Sequence, residues 1–281
     1  MYNRWLLSMS ESGIDRLASL FGEARAKDRA VLLPYLTAGI PSVEESVELF
    51  RAMAEAGADG FEVGIPYADP LMDGPVIMEA GETALAQGVT VTVALEVVRR
   101  VVDTTGKPVL AMTYVNPVLR RGVDTFFRET ADAGACGVII ADLPADESEP
   151  FMDAAGTAGI GLALFVAPTT DDERLKTVLA ADPAFVYAVA EVGVTGERDS
   201  ASTNTETLAR RIRERSNVPI VFGVGISTPA HARAAARHGD GVIVGTAIVR
   251  KVLEASSADV AAEQLSAFVR ALCASVHSNN A

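Results

Sequence analysis

The sequence predicts an α/β protein folded as a (β/α)8 barrel. Three observations predict it: eight short β-rich apolar runs, amphipathic helical segments between them, and a length of 281 residues, against about 250 for a typical single barrel. With 49% hydrophobic and 22% charged residues the chain can bury one large core. No linker, low-complexity tract or charge block divides it, so residues 1–281 are expected to form a single domain.

An amphipathic stretch over about 11–26 reads as an N-terminal helix closing one end of the barrel, and AVLLPYL (30–36) as the first strand. Ser42 and Glu45 then have the S-x-x-E spacing of a capping box. Val43, Val47, Phe50 and Ala54 share a face, so a helix follows from Ser42 towards Gly57. The second strand, FEVGI (61–65), leads into PYADPLMDGPVIMEAGETALAQG, a loop and an extra helix beyond what a barrel needs. PVLAMTY (108–114), GVIIAD (137–142) and GLALFVA (161–167) are the third to fifth strands. The sixth, FVYAVA (185–190), precedes EVGVTGERDSASTNTE, which reads as a long mobile loop, and PIVFGVG (219–225) and GVIVG (241–245) complete the set. A helix over about 258–275 closes the other end, with a frayed tail at 276–281. The two long connections, after the second and sixth strands, fall on the C-terminal face, where such barrels carry their active sites.

Charge and cysteine usage narrow the function. A net charge of −13 without a cluster of Lys and Arg argues against nucleic acid, which needs concentrated cations to release counterions. Any anionic ligand must therefore be held locally, by backbone N–H groups. Cys136 and Cys273 have no metal-type or CxxC spacing and read as two reduced thiols. The opening MYNRWLLSMSESG has too short an apolar run for a signal peptide, and no stretch reaches the roughly 20 apolar residues of a membrane span, so a cytoplasmic protein is expected.

Three Gly-rich turns, VGVTGE (192–197), FGVGIST (222–228) and VGTAIV (244–249), fall late in the chain near strand ends and helix starts. Gly lets the backbone approach an anion and the helix start aims N–H groups at it, so Gly196, Gly225, Gly245 and Thr246 are candidates for a phosphate cradle. Taken singly, each Gly is equally explained by a tight strand-to-helix turn. Glu62 lies inside the second strand between Phe61 and Val63 and should project into the barrel mouth, where desolvation raises its pKa towards neutrality. Asp69 before Pro70 and Asp73 before Gly74-Pro75 are turn formers as readily as functional acids. A metal is not expected, because His231, His238 and His277 lie far from these acids in sequence and read as surface or tail residues.

Taken together, FEVGIP, DPLMDGP, GVTG, GVGIS and GVIVGTAIV, with YLTAGIP, MTYVNP and ADLPADES, resemble the tryptophan synthase α subunit family over roughly 15–272. The resemblance implies a lyase that cleaves indole-3-glycerol phosphate to indole and glyceraldehyde 3-phosphate by a retro-aldol step. By position it makes Glu62 the acid/base group and Asp73 the acceptor of the indole N–H. It also makes Tyr187 a pocket wall and Thr195 a loop contact of the aspartate. Gly196, Gly225, Gly245 and Thr246 become the phosphate cradle, and Tyr67, Asp69, Pro70, Tyr114 and Asn116 a partner-facing loop region. It further implies an αββα assembly with a tryptophan synthase β subunit that carries pyridoxal phosphate, and no cofactor in this chain. Met78 stands where the family usually has Gln, Ala190 where Ser is common, and Glu191 adds an acid beside the loop; these departures bear on loop closure and coupling. Three alternatives stay open: a stand-alone lyase releasing indole, a non-catalytic phosphate-binding regulatory barrel, and another phosphate-binding barrel such as a phosphosugar isomerase.

Overall fold

The computed structural model describes residues 11–189 and 198–278. Eight parallel strands close on themselves in sequence order: β1 (Val31–Thr37), β2 (Phe61–Gly64), β3 (Val109–Thr113), β4 (Gly137–Ile140), β5 (Gly161–Val166), β6 (Phe185–Val189), β7 (Ile220–Gly223) and β8 (Gly241–Val244), with β8 pairing back onto β1. Each expected strand is present. The early helices are α1 (Gly13–Ala26), α2 (Val43–Glu55), α3 (Pro75–Ala86), α4 (Val91–Thr105), α5 (Val115–Arg121) and α6 (Val123–Asp132). The later ones are α7 (Glu149–Ala158), α8 (Asp172–Ala180), α9 (Arg198–Arg213), α10 (Pro229–Ala236), α11 (Thr246–Glu254) and α12 (Ala258–Val276).

Strand residues are buried on both faces because helices cover the outside and side-chain layers fill the inside. Helix starts follow the sequence: the hydroxyls of Ser12, Ser42, Thr90, Thr228 and Ser257 and the Asp171 carboxylate each accept from a backbone N–H of the first turn. The expected extra helix after β2 is α3. After β6 the long loop is shorter than expected, because α9 already begins at Arg198; the Ser, Thr and Asn residues there suggested a loop, but they tolerate a first helical turn. Helix α1 lies across the N-terminal ends of the strands. Its Leu17 and Phe21 are buried, and Phe21 meets Phe185 at 6.0 Å between ring centroids.

The C-terminus departs from expectation. Residues 276–278 are not frayed: Val276 is buried in α12, His277 Nε2 donates to Asp59 Oδ2 at 2.7 Å, and Ser278 Oγ accepts from Arg233 Nη2 at 2.8 Å. Polar Ser and His suggested a loose tail, whereas here they complete a network on the N-terminal face. Asp59, 9% exposed, also accepts from Leu32 N at 2.8 Å and pairs with Arg29 at 2.9 Å. Burial raises its pKa, but the bonds from His277, Arg29 and Leu32 outweigh burial and hold it below the usual carboxylate value.

A depressed pKa contributes stability that is present above the unfolded value, near 4, and is lost as the pH falls through the folded value. Urea midpoints measured from pH 7 down to pH 3 should therefore fall steeply below about pH 4 in the wild type. Asp59→Asn should lower the pH 7 stability by about 3 kcal/mol, since it leaves Arg29 buried without its counter-charge, and should flatten that acid limb. An acid limb equally steep in the variant would assign it to other groups.

Candidate active site

The mouth of the barrel is built where β1, β2 and β6 end. Tyr35, Glu62 and Leu110 are lateral neighbours on β1, β2 and β3, and Phe165 is the neighbour of Tyr187 across β5 and β6. Side chains at one level of a parallel sheet point the same way, so Tyr35 and Glu62 share the interior. Glu62 is 3% exposed, and its Oε2 has no hydrogen-bond partner. Burial, reinforced by the nearby charge of Asp73, pushes its pKa up to about 8, so the carboxyl rests protonated at neutral pH.

Asp73 reaches this space from the loop after β2. The loop is shaped by backbone turns, with Leu71 N donating to Asp69 O at 3.0 Å and Asp73 N to Pro70 O at 2.9 Å. Burial raises the Asp73 pKa, and the Tyr114 phenol beside it works in the opposite direction. The contact falls short of full hydrogen-bond geometry, because Tyr114 Oη is buried without a formal partner. The two groups are adjacent without a formed bond.

Two glycines make room for the phenols. A Cβ on Gly64 would lie 2.1 Å from Tyr35 Oη, and one on Gly223 would lie 2.0 Å from Tyr187 Oη. Each tyrosine therefore lays its hydroxyl over a glycine of the neighbouring strand. Tyr35 Oη also shares a hydrogen bond with Thr37 Oγ1 at 3.2 Å, and Tyr187 stacks on Phe165 with centroids 4.7 Å apart. Burial raises both phenol pKa values strongly, with the carboxylates adding to the effect, so both stay neutral.

Past β7, Val224 and Gly225 both take positive φ, +66° and +74°, turning the chain towards Thr228 at the start of α10. Gly245 is the N-cap of α11 and supplies no side-chain cap, so the first N–H groups of that helix, beginning at Thr246, remain open to an anion. The expected residues thus fall into two groups on the C-terminal face: Glu62, Asp73 and Tyr187 in the mouth, and Gly225, Gly245 and Thr246 at the ends of β7 and β8. Thr195, Gly196, Ala190 and Glu191 lie outside the described residues.

Tyr114 takes a different place from its expected partner-facing one. It is 2% exposed, beneath the loop, with its ring 5.4 Å from Tyr67, whose hydroxyl accepts from Asn116 Nδ2 at 3.1 Å. Tyr67 and Pro70 are half-buried, and Asp69 and Asn116 are exposed. Sequence reasoning missed Tyr35, Thr37 and Phe165. The signal was available for the first two: Tyr35 and Thr37 stand two apart at the C-terminal end of an otherwise apolar run, on the face that points inward. Among the described residues no cluster of three or more His, Cys, Asp or Glu is placed to hold a metal ion.

The family profile described as tryptophan synthase alpha chain matches residues 21–277. The chain belongs to that family. The tryptophan synthase alpha chain of Thermobifida fusca is 44% identical over 257 residues, covering 90% of this chain and 95% of the relative. That of Streptomyces coelicolor is 41% identical over 242 residues, 86% of this chain and 89% of the relative. A crystal structure of tryptophan synthase from M. tuberculosis superposes with a TM-score of 0.84 at 38% identity, covering 93% of this chain and 98% of that one. As a tryptophan synthase alpha-type enzyme the chain is a lyase, cleaving indole-3-glycerol phosphate to indole and glyceraldehyde 3-phosphate by a retro-aldol step.

Because Gly64 leaves no slack beneath Tyr35, Gly64→Ala should displace the tyrosine and with it the wall beside Glu62. Displacements near 1 Å at a reacting centre lower rates by up to about 100-fold. Indole release is expected to drop by at least tenfold while the far-ultraviolet circular dichroism stays unchanged. Wild-type turnover in the variant would show that Tyr35 can move without consequence.

Proposed function

We propose that Glu62 is the proton shuttle of the lyase reaction and that Asp73 accepts the indole N–H. The observation that carries this reading is Glu62 itself: a buried, unpartnered carboxyl in the barrel mouth with a pKa near 8. In its protonated resting state it donates to C3 of the indole ring. The carboxylate so formed takes the proton of the glycerol hydroxyl next to the breaking bond, the C–C bond cleaves, and Glu62 ends the cycle protonated again. Asp73 offsets the positive charge that builds on the indole nitrogen, an interaction stronger in the transition state than in the ground state. Tyr187, stacked on Phe165, supplies a flat apolar wall for the indole. Gly225, Gly245 and Thr246, with Gly196, hold the phosphate, using backbone N–H groups that suit a chain of net charge −13, and Thr195 is the contact of Asp73.

The same reading gives the chain a tryptophan synthase β subunit as partner, in an αββα assembly, with pyridoxal phosphate bound by that partner. Exposed apolar side chains on the C-terminal face support it: Leu71 is 80% and Met72 66% exposed on the loop that carries Asp73, and Leu119 stands exposed on α5. Tyr67, Asp69, Pro70 and Asn116 belong to the same region. Contact there would press on the loop that delivers Asp73, which links partner binding to the assembly of the site. A cytoplasmic setting fits this pairing.

Glu62→Gln keeps the shape but cannot exchange a proton. Single-turnover indole formation, with and without a β subunit, should fall by about 10²- to 10⁴-fold, and the rate should lose a titration near pH 8 that the wild type shows. Binding of a phosphate-bearing indole analogue should survive. Retained turnover would remove Glu62 from the mechanism. In the cradle, Gly245→Asp places a carboxylate at the anion; since a Cβ there meets only Tyr35 at ordinary contact distance, 3.5 Å, the chain should fold and yet bind glycerol phosphate at least tenfold more weakly.

A further inference from the structure

On the face opposite the mouth, a cleft of about 240 Å³ opens between the end of α1, the end of α9 and the end of α10. Four arginines line it, Arg25, Arg29, Arg213 and Arg237, against two aspartates, Asp28 and Asp240. In a chain with 37 acidic and 24 basic residues, such a reversal of sign is local and specific. Part of the charge has a structural use. Asp240 pairs with Arg25 at 3.0 Å and with Arg213, and also accepts from Ile220 N at 2.7 Å; Arg29 pairs with Asp59. Helix C-termini, where Arg25 and Arg213 sit, also favour cations.

What these pairings leave over is donors. A guanidinium carries five N–H groups and no acceptor. Arg25 makes one bond, Arg29 and Arg213 two each to Asp and backbone oxygens, and the Arg237 guanidinium none among the described residues. Of the acceptors, both oxygens of Asp240 are engaged and Asp59, outside the lining, serves Arg29, His277 and Leu32, while the Asp28 carboxylate at the rim has no partner among the described residues, so the four arginines still outnumber it. The pairings also fix the Arg25, Arg29 and Arg213 heads, so a ligand need not order them on binding. At 240 Å³ the cleft is smaller than the roughly 300–1,000 Å³ of drug-sized sites.

From these observations we infer a second anion site on the N-terminal face, built by Arg25, Arg29, Arg213 and Arg237 for a small, multiply charged tetrahedral oxyanion of the phosphate class. Donors that converge from three helix ends and the approach to β1 match an acceptor with oxygens in several directions better than a planar carboxylate. Arg237, with no bond to give up among the described residues, is the arm that closes on the ligand. The site is separate from the cradle at β7 and β8, which lies at the other end of the strands.

The test is a calorimetric titration of inorganic phosphate into the full chain at low ionic strength, comparing wild type, Gly245→Asp, Arg237→Gln, and the double variant. The Gly245→Asp chain should still take up one phosphate, and adding Arg237→Gln should weaken that uptake by about tenfold, the loss of one charge-assisted bond. Arg237→Gln alone should leave indole release unchanged and the thermal midpoint within a degree or two, since its guanidinium makes no bond among the described residues. If the Gly245→Asp chain takes up no phosphate, or if neither Arg237→Gln nor Arg25→Gln alters the uptake, the site does not exist. Acetate binding as tightly as phosphate would overturn the assignment of a multiply charged tetrahedral ligand.

Discussion

A carboxyl group sealed inside a parallel barrel must either find partners or give up its charge, and Glu62 gives up its charge. The surrounding architecture makes that outcome stable. The strand on either side offers Tyr35 and Leu110, the phenols near it are held neutral by their own burial, and the charge of Asp73 raises the Glu62 pKa further. Were the mouth wetter, Glu62 would ionise near its ordinary value and lose the proton that the proposed mechanism has it donate. Loop, phenols and glycines can therefore all be understood as conditions for keeping one proton in place.

The two ends of the barrel treat buried acids in opposite ways. At the N-terminal face Asp59 is surrounded by Arg29, His277 and Leu32 N, and its pKa is held down. At the C-terminal face Glu62 is left without such donors, and its pKa is raised. The backbone environment is the same in kind, and only the supply of hydrogen-bond donors differs. One acid thereby holds α12 and the approach to β1 together, and the other is left protonated, the state that the proposed shuttle needs.

Much of this was legible in the sequence. The strands were readable because a strand covered on both faces is a continuous apolar run, and a Glu inside such a run stands out against it. Ser42 marked a helix start because a hydroxyl before an apolar-periodic segment has a local chemical reason to be there. The early start of α9 and the ordered His277 were not readable. Each depends on what a polar residue meets in three dimensions: Asp59 lies 218 positions from His277, and nothing local to the tail announces it. Tyr35 was overlooked for a related reason, since an aromatic in an apolar run is ordinary core until its register against Glu62 is known. Tyr114 was placed in the partner-interface region only by the resemblance, and as the N-cap of α5 its side chain is buried beside Asp73.

The fit of each phenol over a glycine has a consequence for how this mouth can change over generations. Gly64 cannot acquire a side chain while Tyr35 keeps its place, nor Gly223 while Tyr187 keeps its place, because in both cases the new carbon and the hydroxyl claim the same volume. The reverse order is open: a smaller residue at 35 or 187 first creates a void, and only then can the opposing glycine grow into it. Bulk at positions 35 and 64, and at 187 and 223, is thus coupled in pairs across neighbouring strands, and a change that keeps the pocket filled without displacing a phenol has to exchange both members.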